Sequence, residues 1–211
     1  MSSSKTGDGN LFIIAAPSGA GKTSLVNALL RQDARLVLSV SHTTRPARPG
    51  EINAQHYHFV AEAEFDQMAN NGDFMEHARV FDHYYGTNRN TVAQQLGQGF
   101  DVILEIDWQG ARQVRAAFPD CCRIFIIPPS LETLRKRLTG RGQDSEAVIQ
   151  RRMRDARAEI SHWAEFDHLV VNDNFESALE ELSAIVNDHR AHRPHKVNKK
   201  HQLLAQRLGR R

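Results

Sequence analysis

Only two cysteines occur in the chain, Cys121 and Cys122, and they are neighbours. Adjacent cysteines cannot staple distant segments, which excludes a disulfide framework and suits a reducing compartment. They read as two small apolar residues leading into a strand. No apolar run is long enough to cross a bilayer, and the N-terminal MSSSKTGDGN has no apolar signal-peptide core. A membrane association is therefore not expected, and the cytoplasm is the expected location. The eleven histidines fall at no metal-site spacing: His56 and His58 alternate on an expected strand, while His42, His77 and His83 are dispersed. No Ser/His/Asp arrangement and no internal repeat is evident.

What remains is an ordinary soluble composition. The 211 residues, 40% apolar and 25% charged, fit one domain with insertions. The net charge of +2 conceals an asymmetry: residues 188–211 carry eight Lys/Arg and one acid, so the rest of the chain is net acidic. This basic tail lacks interleaved aromatics and any RNA-binding or zinc signature, so nucleic acid is not an expected partner. A solvated or subunit-contacting terminus is expected, compatible with a homo-oligomer, and Leu203, Leu204 and Leu208 suit a short amphipathic helix.

Three continuous apolar runs, residues 11–15, 102–106 and 124–127, and a shorter one at 169–171 predict strands covered on both faces. Helical patterns at 22–31, 109–118, 131–138, 145–163 and 175–187 alternate with them. Strand alternating with helix predicts an α/β fold, a doubly wound parallel sheet with helices on both faces. Residues 37–87 break the rhythm with a Pro-rich turn, short alternating β pieces and a helix at 63–70, predicting a small mixed-β insertion. The expected organisation is a disordered 1–9, a domain over 10–187 whose core is 10–36 and 88–187, an Arg-rich mobile lid at 137–152, and the tail.

The stretch AAPSGAGKT follows the first expected strand and precedes a helix. It fits the phosphate-cradling loop G-x-x-x-x-G-K-[ST], except that Ala16 stands at the first glycine. Loop amides of Ala16, Pro17, Ser18, Gly19, Ala20 and Gly21 (Pro17 contributing only its shape), together with the helix N-terminus, make an anion site. Lys22 reaches the β- and γ-phosphates, and the Thr23 hydroxyl can hold Mg²⁺. A nucleoside triphosphate site follows, but the loop does not say what receives the phosphate.

Further along, Arg45 and Arg48 flank prolines in SHTTRPARPGE, presenting guanidinium groups suited to a second phosphate. The ordered set APSGAGKT, SHTTRPARPGE, HYHFV, FMEHA, YYGT, EIDWQG and RLTGRG resembles the guanylate kinase family from about residue 10 to about 187. The resemblance implies transfer of the ATP γ-phosphate to GMP with Mg²⁺. It implies that Arg45, Arg48, Tyr57 and Tyr85 hold the GMP phosphate. Ser41, Glu76 and Thr87 would read guanine. Asp107 would lie near base, ribose or the metal's water shell, with Glu105 beside it. Arg137, Arg141 and Arg152 would close over the transferring group.

Guanine offers N1–H and a 2-amino group as adjacent donors to one carboxylate, whereas adenine has a lone pair at N1, so Glu76 has chemical sense as the reader. A nucleotide phosphate is already ionised, so positioning and charge neutralisation by Lys22, Arg45 and the lid arginines suffice for in-line transfer. The sequence departs from the family in Ala16 and in Glu105, where an Asp is usual. Two other readings stay open: a guanylate-kinase-like interaction module without turnover, and a kinase of the same architecture acting on another small molecule.

Overall fold

The computed structural model describes residues 9–80, 82–140, 145–195 and 198–209. Two sheets organise it. The first has five strands in the order β2-β7-β1-β8-β9, and the second has four in the order β4-β3-β6-β5. The members of the first are β1 (Leu11–Ala15), β2 (Leu36–Leu38), β7 (Asp101–Glu105), β8 (Cys122–Ile127) and β9 (His168–Val171). The described pairings β2–β7 and β8–β9 are parallel, and helices flank the sheet, as the continuous apolar runs predict. By contact density the chain divides into two compact units, one of Met1–Ile13 with Asp33–Cys121 and one of Ile14–Gln32 with Cys122–Arg211.

The first unit carries the mixed sheet: β3 (His42–Thr43), β4 (His58–Phe59), β5 (Phe74–Val80) and β6 (His83–Asn88). β3 pairs parallel with β4 and antiparallel with β6, and β5 pairs antiparallel with β6. Helix α2 (Glu62–Asn70) turns only Phe65 inward, where the ring meets Phe74 at 4.6 Å and Tyr84 at 5.6 Å. Gly86 is required at this cluster, because a Cβ there would lie 2.9 Å from the Phe74 ring. Two helices complete the unit, α3 (Arg89–Gly97) and α4 (Trp108–Ala117). α3 is absent from the sequence-based expectation. Val92 is its only buried residue, so it lacks an apolar stripe, and its start is fixed by the Asn88 side chain accepting from Thr91 N–H at 3.0 Å.

The second unit holds α1 (Lys22–Gln32), α5 (Leu131–Thr139), α6 (Glu146–Ile160), α7 (Phe175–Arg190) and α8 (Lys199–Gly209). Ser130, Ser145 and Asn174 cap α5, α6 and α7 through their side-chain oxygens. α8 is the helix expected at the tail leucines, but the tail is not merely solvated. Ala205 and Leu208 join Ala15, Phe125, Ile127 and Ile160 in one apolar core, with Leu204 against it and Leu203 left exposed. Cys121 and Cys122 are buried where β8 begins, and neither is in a disulfide. Among the described residues no helix is long and apolar enough to cross a membrane.

Arg123 ties β8 to the chain entering β9. It is 7% exposed, its Nε donates to Asp167 Oδ2 at 3.0 Å, its Nη1 donates to the Glu165 carbonyl at 2.7 Å, and its Nη2 pairs with Asp167 Oδ1. Truncating one partner strands the other, so Arg123→Ala is expected to lower stability by about 2 kcal/mol, read from the midpoint of urea unfolding.

Candidate active site

The phosphate loop lies wholly in the second unit. Gly19 and Gly21 have φ of +89° and +92°, left-handed values that side chains oppose. Space enforces the same choice. A Cβ at Gly21 would lie 2.3 Å from Asn172 Nδ2, and one at Gly19 would lie 2.9 Å from Leu138. Outside glycine, positive φ among the described residues occurs only at Ala54 and His192, so Ala16 sits where no glycine is needed.

Contacts from distant parts of the unit brace the loop. Asn172 Nδ2 donates to the Ala20 carbonyl at 2.7 Å, and Ala20 N–H donates to the Pro17 carbonyl at 3.0 Å. Arg137 Nη2 donates to the Asn172 carbonyl at 2.9 Å, and its Nη1 lies 3.4 Å from the Ala20 carbonyl. Ser18 N–H donates to Glu159 Oε2 at 3.2 Å. Lys22, half-buried, and Thr23, exposed, open α1, whose first turn carries no acidic side chain. The positive helix end is thus left for an anion.

The lid expectation meets two helices. Arg137 lies in α5 and Arg152 in α6, both half-buried, while Arg141 lies outside the described residues. Both helices match the helical patterns expected at 131–138 and 145–163, and they bound the 137–152 segment on its two sides.

The first unit gathers the other predicted residues. Arg45 donates through Nη1 and Nη2 to Glu51 at 2.9 and 2.8 Å, and its guanidinium stands 5.4 Å from the Tyr57 ring centroid. Glu51 also accepts from the Arg48 N–H at 2.7 Å, although the Arg48 side chain is exposed. Arg45's hydrogen bonds are the main cause holding the Glu51 carboxyl below its ordinary value. Tyr57 and Tyr85 meet edge to face at 5.8 Å. Burial, reinforced by the Glu105 charge, pushes the Tyr57 hydroxyl up to about 12, so it stays a hydrogen-bond donor.

Glu76 is 3% exposed and its Oε1 accepts from Thr87 Oγ1 at 2.6 Å. The register Glu76↔Thr87 across β5 and β6 creates this pair. Burial, with the Asp107 charge adding, raises the Glu76 carboxyl to about 7 against the opposing Thr87 hydrogen bond. Ser41 is buried one residue before β3.

Asp107 follows the strand and starts a helix. β7 stops at Glu105, and Asp107 is the N-cap of α4. Its Oδ1 accepts from Gly110 N–H and its Oδ2 from Gln109 Nε2, both at 2.9 Å.

Sequence reasoning also missed Glu51, Asn172, Glu159 and Gln113. Glu51 alone had a local signal, lying three residues after Arg48 in the same turn. The others reach their partners from far along the chain.

A parallel sheet whose first strand runs through two left-handed glycines into a helix opening with Lys-Thr defines a P-loop protein. The guanylate kinase family model matches residues 8–189. The chain is 60% identical over 200 residues to a guanylate kinase of Nitrosococcus oceani, covering 95% of this chain and 98% of that one. It is 56% identical over 200 residues to one of Alkalilimnicola ehrlichii, covering 95% and 97%. The crystal structure of guanylate kinase from Anaplasma phagocytophilum superposes with a TM-score of 0.73 at 32% identity, covering 98% of each chain. The chain belongs to the guanylate kinase family.

Proposed function

We propose that this chain transfers the γ-phosphate of ATP to GMP, giving ADP and GDP. The observation that carries the reading is the buried Glu76 carboxylate with its Thr87 partner, in the same unit as the Arg45, Tyr57 and Tyr85 cluster. A carboxylate buried away from any cationic partner is costly unless a ligand supplies donors. Guanine supplies two side by side, and adenine cannot. The cationic cluster suits the phosphate of the same nucleotide, with the exposed Arg48 as a second guanidinium.

On this reading the loop residues 16–21 and Lys22 hold the ATP phosphates, and Thr23 contributes its hydroxyl to Mg²⁺. The donor set fits such an ion. Among the described residues no group of three His, Cys, Asp or Glu could hold a metal alone, so the ion would be carried mainly by the nucleotide phosphates. When bound it neutralises charge between the phosphates. Lys22 and Arg137 supply fixed positive charge, Arg137 being held by the carbonyls that brace the loop. The acceptor phosphate needs no general base, because it is ionised near neutral pH. Asp107 acts chiefly through α4, as its cap.

ADP formation from ATP measured with GMP, AMP, UMP and CMP in turn tests the assignment. Turnover is expected with GMP alone. Comparable rates with AMP or a pyrimidine nucleotide would point to another small-molecule kinase, and no turnover with any of them to an interaction module.

A further inference from the structure

Helix α4 meets strand β5 through a pairing that the phosphoryl transfer itself does not use. β5 is the edge of the second sheet, so among the described residues its outer backbone groups have no neighbouring strand. Gln113 takes that place. Its Oε1 accepts from His77 N–H at 3.1 Å, and its Nε2 donates to the His77 carbonyl at 2.8 Å. One side-chain amide thus satisfies both backbone groups of a single residue, as another strand would, and that residue follows Glu76.

Three positions earlier, on the same face of α4, stands Gly110. A Cβ there would lie 2.3 Å from Glu76 Oε2 and 3.0 Å from its Cδ. Glycine inside a helix costs about 1 kcal/mol relative to alanine, so its presence is not for the helix's benefit. The Glu76 carboxylate is buried and held from its other oxygen by Thr87, which leaves it little room to yield. The β5–β6 register shifts between Phe74 and Glu76, so pairing with β6 alone leaves this stretch loosely indexed. Gln113 supplies the second reference, from the opposite edge.

We propose that Gln113 and Gly110 are positioning residues for guanine selectivity: Gln113 fixes β5 on α4, and Gly110 leaves the space in which the Glu76 carboxylate is held. Neither touches the base. The proposal rests on Glu76 being the guanine reader. It extends that reading to two residues of a different element, which act only through the carboxylate.

The test compares Gly110→Ala, Gln113→Ala and Glu76→Gln in steady-state kinetics with GMP and with IMP, which lacks the 2-amino group. Gly110→Ala and Gln113→Ala are expected to raise the GMP KM about tenfold and to lower the GMP-over-IMP preference by a similar factor, with the ATP KM unchanged. A merely structural role would lower active protein and leave the preference intact. If Glu76→Gln loses the preference while both α4 variants keep it, the positioning proposal falls and the reader stands. If Glu76→Gln keeps it, the reader falls and the proposal with it. Should an alanine variant fail to fold, Gln113→Glu decides. It keeps the bond from His77 N–H but sets an oxygen against the His77 carbonyl, and an unchanged preference there overturns the proposal.

Discussion

Replacing Lys22 by Met is expected to lower turnover by about a thousandfold while leaving the fold intact. Lys22 opens α1 immediately after Gly21, whose left-handed backbone sets the direction in which the helix starts. The methionine keeps nearly the length and flexibility of the side chain and removes its charge and its N–H donors. The loop's bracing bonds from Asn172, Arg137 and Glu159 do not involve Lys22, so the loop should keep its shape. The loss should therefore fall on kcat, with the GMP KM and the urea midpoint near those of the parent. A variant within tenfold of the parent would remove the loop from the reaction.

Glu76→Gln is expected to raise the GMP KM about a hundredfold and to leave the ATP KM unchanged, since the amide places a donor where guanine also donates. It also has a pH signature. Burial is the first cause, and the Asp107 charge the second, that raise the Glu76 carboxyl from 4.5 to about 7. Between those values the folded protein holds a proton that the unfolded chain has lost, so stability falls as pH rises through that window. The unfolding free energy of the parent minus that of the variant should drop by about 3 kcal/mol between about pH 4 and pH 8. On the proposed reading guanine needs the ionised carboxylate, so binding would expel this proton. The parent's GMP KM should rise from about pH 8 to pH 6 more steeply than the variant's. Parallel profiles would mean that Glu76 does not change its charge when GMP binds.

The parallel sheet was legible because its strands are short and continuously apolar, and the loop because its glycines are demanded by backbone conformation. The candidacy of Lys22, Arg45 and Glu76 was legible through motif and resemblance. The bracing of these residues was not. Asn172 meets Ala20 from 152 positions away, and Gln113 meets His77 across 36, so no local pattern encodes either contact. Helix α3 went unseen because one buried valine makes no stripe. The capping role of Asp107 went unseen because the expected strand ran to Ile106 and the expected helix began at 109, whereas β7 stops at Glu105 and α4 starts at Trp108.

Arg45 carries its own counter-ion in Glu51, and this affects how the site meets the many free anions of a cell. On the proposed reading, a lone sulfate or inorganic phosphate must compete with a carboxylate already held by both guanidinium nitrogens, and gains only Arg48 and the tyrosines in exchange. A phosphate tethered to a base already seated at Glu76 competes as an intramolecular group, at a high effective concentration. On that reading Glu51 acts as a threshold: charge alone does not load the site, and a nucleotide recognised at its other end does.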